Sequence, residues 1–396
     1  MTDSTKMLSY LMEKQEDFPF IFDYENKKVK KLIEKFYKEI KKVDTNKKRL
    51  PFTKNIIKKQ DNMTNDHLID LLDSDFTPPN IKKEMDQIND IIEYSTNINN
   101  IPITINFLKI KNRFNIDYDA MFQQTCLWLL YIFPYSNSKI KSFNLVIYLS
   151  HHKKKLPKNQ TTIFNNIHCN TAVTYACAIN GNCLIYREEE WFKVLIHETM
   201  HAFCLDFSGL DYKNLRNKMK SIFPLKIDFE ISETYSEFWA TILNCLFKSY
   251  ILSKNDNDIE DFDSFYYIFS SMIHFENAFS LLQTVKILDF MNINEYKDLY
   301  ENKVLYKQKT NVFEYYILKM VFLFHYIEFL LMCDDNNINC INFQKSQTML
   351  NKIFTFVKKN YKNEKLSNAL KYAKSLYNEL DDTDFIKKTM RMTMFD

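Results

Sequence analysis

Residues 188–210 read EEEWFKVLIHETMHAFCLDFSGL and contain His197-Glu198-Thr199-Met200-His201, an HExxH pattern. On a helix, residues four apart lie one turn above each other. His197 and His201 can then offer two imidazoles to one metal ion, while Glu198 reaches a water beside it. Five letters alone are weakly specific, so the flanking residues carry the argument. Phe192, Ile196, Met200, Phe203 and Phe207 form one apolar stripe, and Trp191, Leu195, Ala202 and Leu205 form another. Lys193, His197, His201, Cys204 and Ser208 align between them. This predicts a buried helix with a single polar stripe. Glu188, Glu189 and Glu190 suit the positive end of its dipole, and Gly209 stands where a left-handed cap would end it.

A catalytic zinc needs a third protein ligand and an open fourth position. One known pattern takes that ligand from the same segment, with Gly three residues after the second His and His or Asp three residues further on. Those places hold Cys204 and Phe207, so the pattern fails. The alternative draws a Glu from a second helix, and ISETYSEFWATILNCLF at 231–247 supplies one. Ile231, Tyr235, Phe238, Trp239, Ile242 and Leu246 make its core face, leaving Glu233, Glu237 and Thr241 as a polar stripe. Glu233 is read as the third zinc ligand. Glu237, one turn on, is read as the acceptor for the second ring N–H of His197.

Working outward, Ile101 to Tyr186 is rich in β-forming runs: ITINFLKI, FNLVIYLS, NTAVTY and CLIYR, around one strong helix pattern at Tyr118 to Tyr131. NTAVTYACAINGNCLIYR reads as a β-hairpin turning at Asn180-Gly181. Helices are expected at Lys27 to Lys42, around Asp66 to Leu72, and at Pro79 to Tyr94 after a Pro-Pro break. Beyond Glu188 the periodic stretches 188–207, 229–251, 262–290, 312–332 and 345–380 are also expected to be helical. The fold class expected is α+β, mostly helical. It comprises an N-terminal helical region (1–100), a core with a small mixed sheet (101–250) and a helical C-terminal subdomain (251–396).

Composition narrows the function. Only Gly181 and Gly209 are glycines, which excludes phosphate-cradling glycine loops and favours helices over an all-β design. The many Asn, Ile and Lys codons suggest an AT-rich genome. The net charge of +3 is too small to imply a nucleic-acid partner by itself, so no clear one is expected. The 14 Lys and Arg between Lys27 and Lys59 read as a solvated helix face, ahead of a weak polyanion-binding patch, because Val29, Leu32, Ile33, Phe36 and Ile40 recur at helical spacing. Charges at Asp3, Lys6, Glu13, Glu16 and Asp17 leave no signal peptide, and the longest apolar run, Met320 to Met332, carries His325 and Glu328. An intracellular protein with no membrane span is expected. Its eight Cys include no C-x-x-C pair, so reduced buried thiols are expected, with Cys177 and Cys183 the one pair placed to bridge across strands.

The succession of hairpin, HExxH helix and Glu helix resembles the gluzincin branch of the zinc metallopeptidases, with a thermolysin-like fold, over roughly residues 100–250. The matching residues are Asn170 with Ala172, Asn180-Gly181, Tyr186, His197 to His201, and Glu233-Thr-Tyr-Ser236-Glu237. The last carries Glu where that family has Asp, and the interval from His201 to Glu233 is longer than in its shortest members. REEEWFKVLIHETMHAF is also similar to uncharacterised zincin-like proteins of large DNA viruses, implying host cytoplasm or virion. The resemblance implies a zinc-dependent peptidase with Glu198 as general base. It also implies an edge strand at Asn170 to Tyr175, including Ala172, that holds an extended peptide substrate. His274, His325, Tyr315 and Tyr316 are candidates for stabilising the oxyanion. A catalytically silent zinc protein of structural or virion-associated role is the alternative, and the retained Glu198 argues against it.

Overall fold

The computed structural model describes residues 3–14, 26–58, 77–85, 87–110, 116–136, 139–255 and 261–395. The expected helix at Asp66 to Leu72 lies outside them. Contacts group the chain into two units built from discontinuous segments, which cut across the three consecutive regions read from the sequence. One unit comprises Glu34–Lys153 with Asn170–Ser208. The other comprises Met1–Ile33, Lys154–Cys169 and Gly209–Asp396.

In chain order the elements are α1 (Asp3–Glu13), α2 (Lys27–Lys47), β1 (Phe52–Lys58), α3 (Pro79–Met85), β2 (Ile88–Ile98), β3 (Ile101–Ile110) and α4 (Tyr118–Ile132). There follow β4 (Ser142–Ile147), β5 (Ala172–Thr174), β6 (Asn180–Ile185), α5 (Trp191–Ala202), α6 (Lys213–Ile222), α7 (Ile231–Asn255) and α8 (Phe262–Phe290). A π-helical turn at Phe313–Leu318 leads into α9 (Lys319–Phe324), α10 (Tyr326–Asn336), α11 (Gln347–Asn360) and α12 (Glu364–Glu379). The protein is α+β and mostly helical.

The sheet unit is a six-stranded mixed sheet in the order β1-β2-β3-β4-β6-β5. β3, β4 and β6 run parallel, while β1, β2 and β5 add antiparallel strands at the two sides. Two of its strands overturn the expectation of helices throughout 1–100. The helix after Pro79 ends at Met85, and Ile88–Ile98 is β2. The deciding signal is Asn99-Asn100, both left-handed (φ 51° and 64°), which closes a tight hairpin pairing Ile98 with Ile101. The β5–β6 hairpin forms as expected, but Asn180-Gly181 lies within β6 and the turn falls at 175–179. Gly181 is needed there for packing: a Cβ would come within 2.8 Å of Ile140 and Phe143 side-chain carbons.

One face of the sheet buries Ile91, Leu108, Val146, Leu184 and Tyr186 against Ile81 of α3. α4 lies against β2, with Phe122 stacked on Tyr94 at 4.2 Å between ring centroids. α5 packs on β5 and β6. The two helices are joined by a buried hydrogen bond from Trp128 Nε1 to Thr199 Oγ1 (2.9 Å).

The helical unit centres on α7 and the 29-residue α8, both largely buried. The expected helix at 312–332 is broken in two at His325, where the Phe313–Phe324 and Tyr326–Asn336 pieces meet at 87°. The stretch 345–380 is likewise two helices, the second capped by Asn363 accepting from the Leu366 N–H. Among the described residues no single helix is long and apolar enough to cross a membrane.

Residues 389–395 thread this unit with their backbone held by buried side chains. Lys286 donates to the Thr389 carbonyl (2.6 Å), Tyr316 to Met390, Gln283 to Arg391 and Lys319 to Met392. Asn244 donates to the Phe395 carbonyl, while the Glu276 carboxylate accepts from the Thr393 hydroxyl and from the Met394 and Phe395 N–H groups.

Candidate metal centre

α5 begins at Trp191, so Glu188 to Glu190 precede its first turn rather than occupying it, and Glu190 itself is left-handed (φ 63°). Its apolar residues are buried, as the two stripes require, except Trp191 at its start, which is half-buried. His197 and His201 are 7% and 9% exposed, and their Nε2 atoms face each other at 3.2 Å. Two imidazole nitrogens bound tetrahedrally to zinc at 2.0–2.1 Å would lie about 3.3 Å apart. The pair already has the spacing of two ligands.

Behind His201 stands Asp206, fully buried, with Oδ2 2.6 Å from His201 Nδ1. Its oxygens also accept from the Ser208 N–H and hydroxyl, both at 2.9 Å. A carboxylate on Nδ1 keeps the proton there and leaves the Nε2 lone pair facing outward, the tautomer a metal ligand needs. Sequence reading missed this residue. The signal was the Asp206-Phe-Ser208 spacing, which suits an aspartate that folds the turn back on itself.

The helix ends earlier than Gly209 suggested. Phe203 is the cap, Cys204 is left-handed (φ 56°), Leu205 donates to Met200 (2.8 Å) and Cys204 to His201 (3.0 Å). This is a Schellman ending in which Cys takes the place Gly usually holds. Cys204 is joined in a disulfide to Cys177, not Cys177 to Cys183, and Cys183 is a buried free thiol. Glu198 is half-buried, and its charge adds to burial in raising the Cys183 thiol, which sets the carboxylate near β6.

On the strand side, Ala172 opens β5, the last strand of the sheet, and pairs with Ile185. The Asn170 carbonyl accepts from Arg187 Nε at 2.9 Å. β5 is thus an edge strand, with exposed Tyr175 just beyond it.

Glu233 and Glu237 belong to the helical unit. Glu233 is half-buried in the first turn of α7, where its Oε2 accepts from the Tyr315 hydroxyl (3.1 Å). That turn is held from the π-helix: Glu314 accepts from the Glu230 N–H (3.1 Å), and its own carboxyl is pushed up to about 8 by burial. Glu237 is buried with Oε1 3.5 Å from Lys319 Nζ. Of the four oxyanion candidates, Tyr315 touches Glu233 and Tyr316 is committed to Met390. Burial lowers both histidines, His325 to about 4 and His274 below its usual value.

Comparison with known proteins returns no matching family model, no matching curated protein and no matching solved structure.

Proposed function

We propose that this chain is a zinc-dependent peptidase of gluzincin type, with His197, His201 and Glu233 as ligands and Glu198 as general base. The observation that carries the reading is the His197–His201 pair, whose Nε2 atoms converge at ligand spacing while Asp206 fixes the tautomer of His201. Two imidazoles and one carboxylate are a donor type that suits zinc. Glu233 is held for the task by the Tyr315 hydroxyl, which donates to its Oε2.

A zinc ion bound at these donors supplies Lewis acidity that acidifies a water and polarises a carbonyl. The residues of the chain do the rest. Glu198 follows His197 directly on α5, takes a proton from the attacking water and returns it to the leaving amine. The edge position of β5, which Asn170 leads into and Ala172 opens, supports a peptide as substrate, since an extended chain can add there as a further strand.

The test is metal analysis of wild type, His197→Ala and Glu198→Gln, with a peptide-library cleavage assay alongside. A single zinc per chain, lost in His197→Ala and kept in an inactive Glu198→Gln, is expected. Zinc without cleavage would leave only the structural role, and wild type that takes up no zinc would end the reading.

A further inference from the structure

Cys177 and Cys204 form a disulfide with Cα atoms 5.0 Å apart. The remaining six cysteines are buried and outside any disulfide. Burial pushes several of their thiols up, Cys126 to about 12 and Cys183 and Cys245 well above their ordinary value, so they are poor nucleophiles. The bonded pair differs in place as well as in state. Cys204 follows His201 by three residues and precedes Asp206 by two. Cys177 sits in the turn of the β5–β6 hairpin and is partly exposed.

Both half-cystines are left-handed, at φ 58° and 56°, a conformation that costs a non-glycine residue. Both also give their N–H to the same acceptor, the His201 carbonyl, at 3.1 and 3.0 Å. The disulfide therefore closes a ring around the carbonyl of a proposed ligand and holds the turn from which Asp206 reaches the imidazole of that residue.

We propose that Cys177–Cys204 is a thiol–disulfide exchange site for a dithiol reductant, and that its state sets how firmly His201 is held for the metal. This rests on the zinc reading above. A thiolate of the reductant attacks the sulfur of Cys177, the more accessible residue, and Cys204 leaves as a thiolate that takes a proton from water. The second thiol of the reductant then displaces Cys177 as a thiol. The two electrons come from the dithiol, which departs as its own disulfide. Without the cross-link, Cys177 and Cys204 relax out of the left-handed region, the two N–H bonds to His201 open, and Asp206 loses its fixed approach to Nδ1.

The experiment uses full-length protein, either oxidised or reduced with dithiothreitol and desalted without air. Thiols are counted by alkylation and mass, zinc affinity is read by chelator competition, and amide exchange over 201–208 is measured on metal-free protein. The expected result is two additional thiols on reduction, zinc held on the order of 10- to 100-fold more weakly, and faster exchange in that segment. Cys177→Ser should match the reduced protein and ignore the reductant. Equal affinity and equal exchange in the two states overturn the proposal, as does an unchanged thiol count or a reductant effect that persists in Cys177→Ser. If the oxidised protein binds no zinc, the peptidase reading falls, and amide exchange alone decides whether the disulfide governs the turn.

Discussion

In the sheet unit the contacts that tie helix to helix and strand to strand include neutral pairs, Trp128 to Thr199 at 2.9 Å and the partly buried Asn106 to Asn144 at 2.9 Å. Its buried charged groups, Asp206 and Arg187, serve the turn after α5 and the Asn170 carbonyl. In the helical unit ionisable side chains join elements far apart in the chain. Lys286, Glu276, Lys319 and Glu237 are at most 2% exposed, and three of them hold the backbone of residues 389–395. The difference teaches where each unit stores its specificity. Alternating apolar strands define their own register, so neutral pairs suffice between layers. Long apolar helices can slide, and a buried ion that must meet its partner removes that freedom, a role attested for some buried polar groups.

The sharpest way to break this comparison is Glu276→Leu. It strips the Thr393 hydroxyl and two N–H groups of their acceptor and leaves Lys319 with less compensating charge. A loss of roughly 3–5 kcal/mol in urea unfolding is expected, and a loss below about 1 kcal/mol would show that the ions are incidental. The counterpart in the sheet is Gly181→Val, whose side chain has no room beside Ile140 and Phe143. The cost should be about 1–3 kcal/mol by overpacking, read in the same assay.

Third comes pH. The Glu314 carboxyl is raised by burial from an ordinary value of 4.5 to about 8, so the folded chain binds the proton more tightly than the unfolded one. Its contribution is therefore complete below about 4.5 and is lost as pH rises toward 8. Unfolding of metal-free protein should show stability falling by up to about 1.4 kcal/mol per pH unit in that window. Glu314→Gln should flatten the slope. The smallest effect belongs to Tyr315→Phe, which removes one hydrogen bond to Glu233. About 1 kcal/mol is expected, measured as a few-fold weaker zinc binding, and no change would detach Tyr315 from the proposed ligand.

How much of this could be read from the residues depended on how local each cause was. Helix α5 and its histidines were legible because stripe, spacing and motif all lie within 20 residues. β2 was misread because Ile88, Ile91 and Ile92 also fit a helical spacing, and only the left-handed Asn99-Asn100 turn beyond them decides for a strand. Asn180-Gly181 misled in the opposite direction, since that glycine answers a packing demand from Ile140 and Phe143 that no turn rule contains. The turn spacing marks Asp206 but does not name His201 as its partner. The bond between Cys177 and Cys204 joins residues 27 positions apart. That is a distance over which spacing carries no signal.

The strap at 389–395 also imposes an order in time. Gln283 and Lys286 find their acceptors at Arg391 and Thr389, 108 and 103 positions later in the chain. At synthesis rates of 5–20 residues per second, roughly 5 to 20 s separate the emergence of α8 from the arrival of those carbonyls. The sheet unit is complete once Ser208 has been made. A nascent chain therefore carries a finished sheet and an unclosed helix bundle at the same moment, with Lys286 still in water and the apolar faces of α7 and α8 open to whatever chaperone or neighbour is near the ribosome exit.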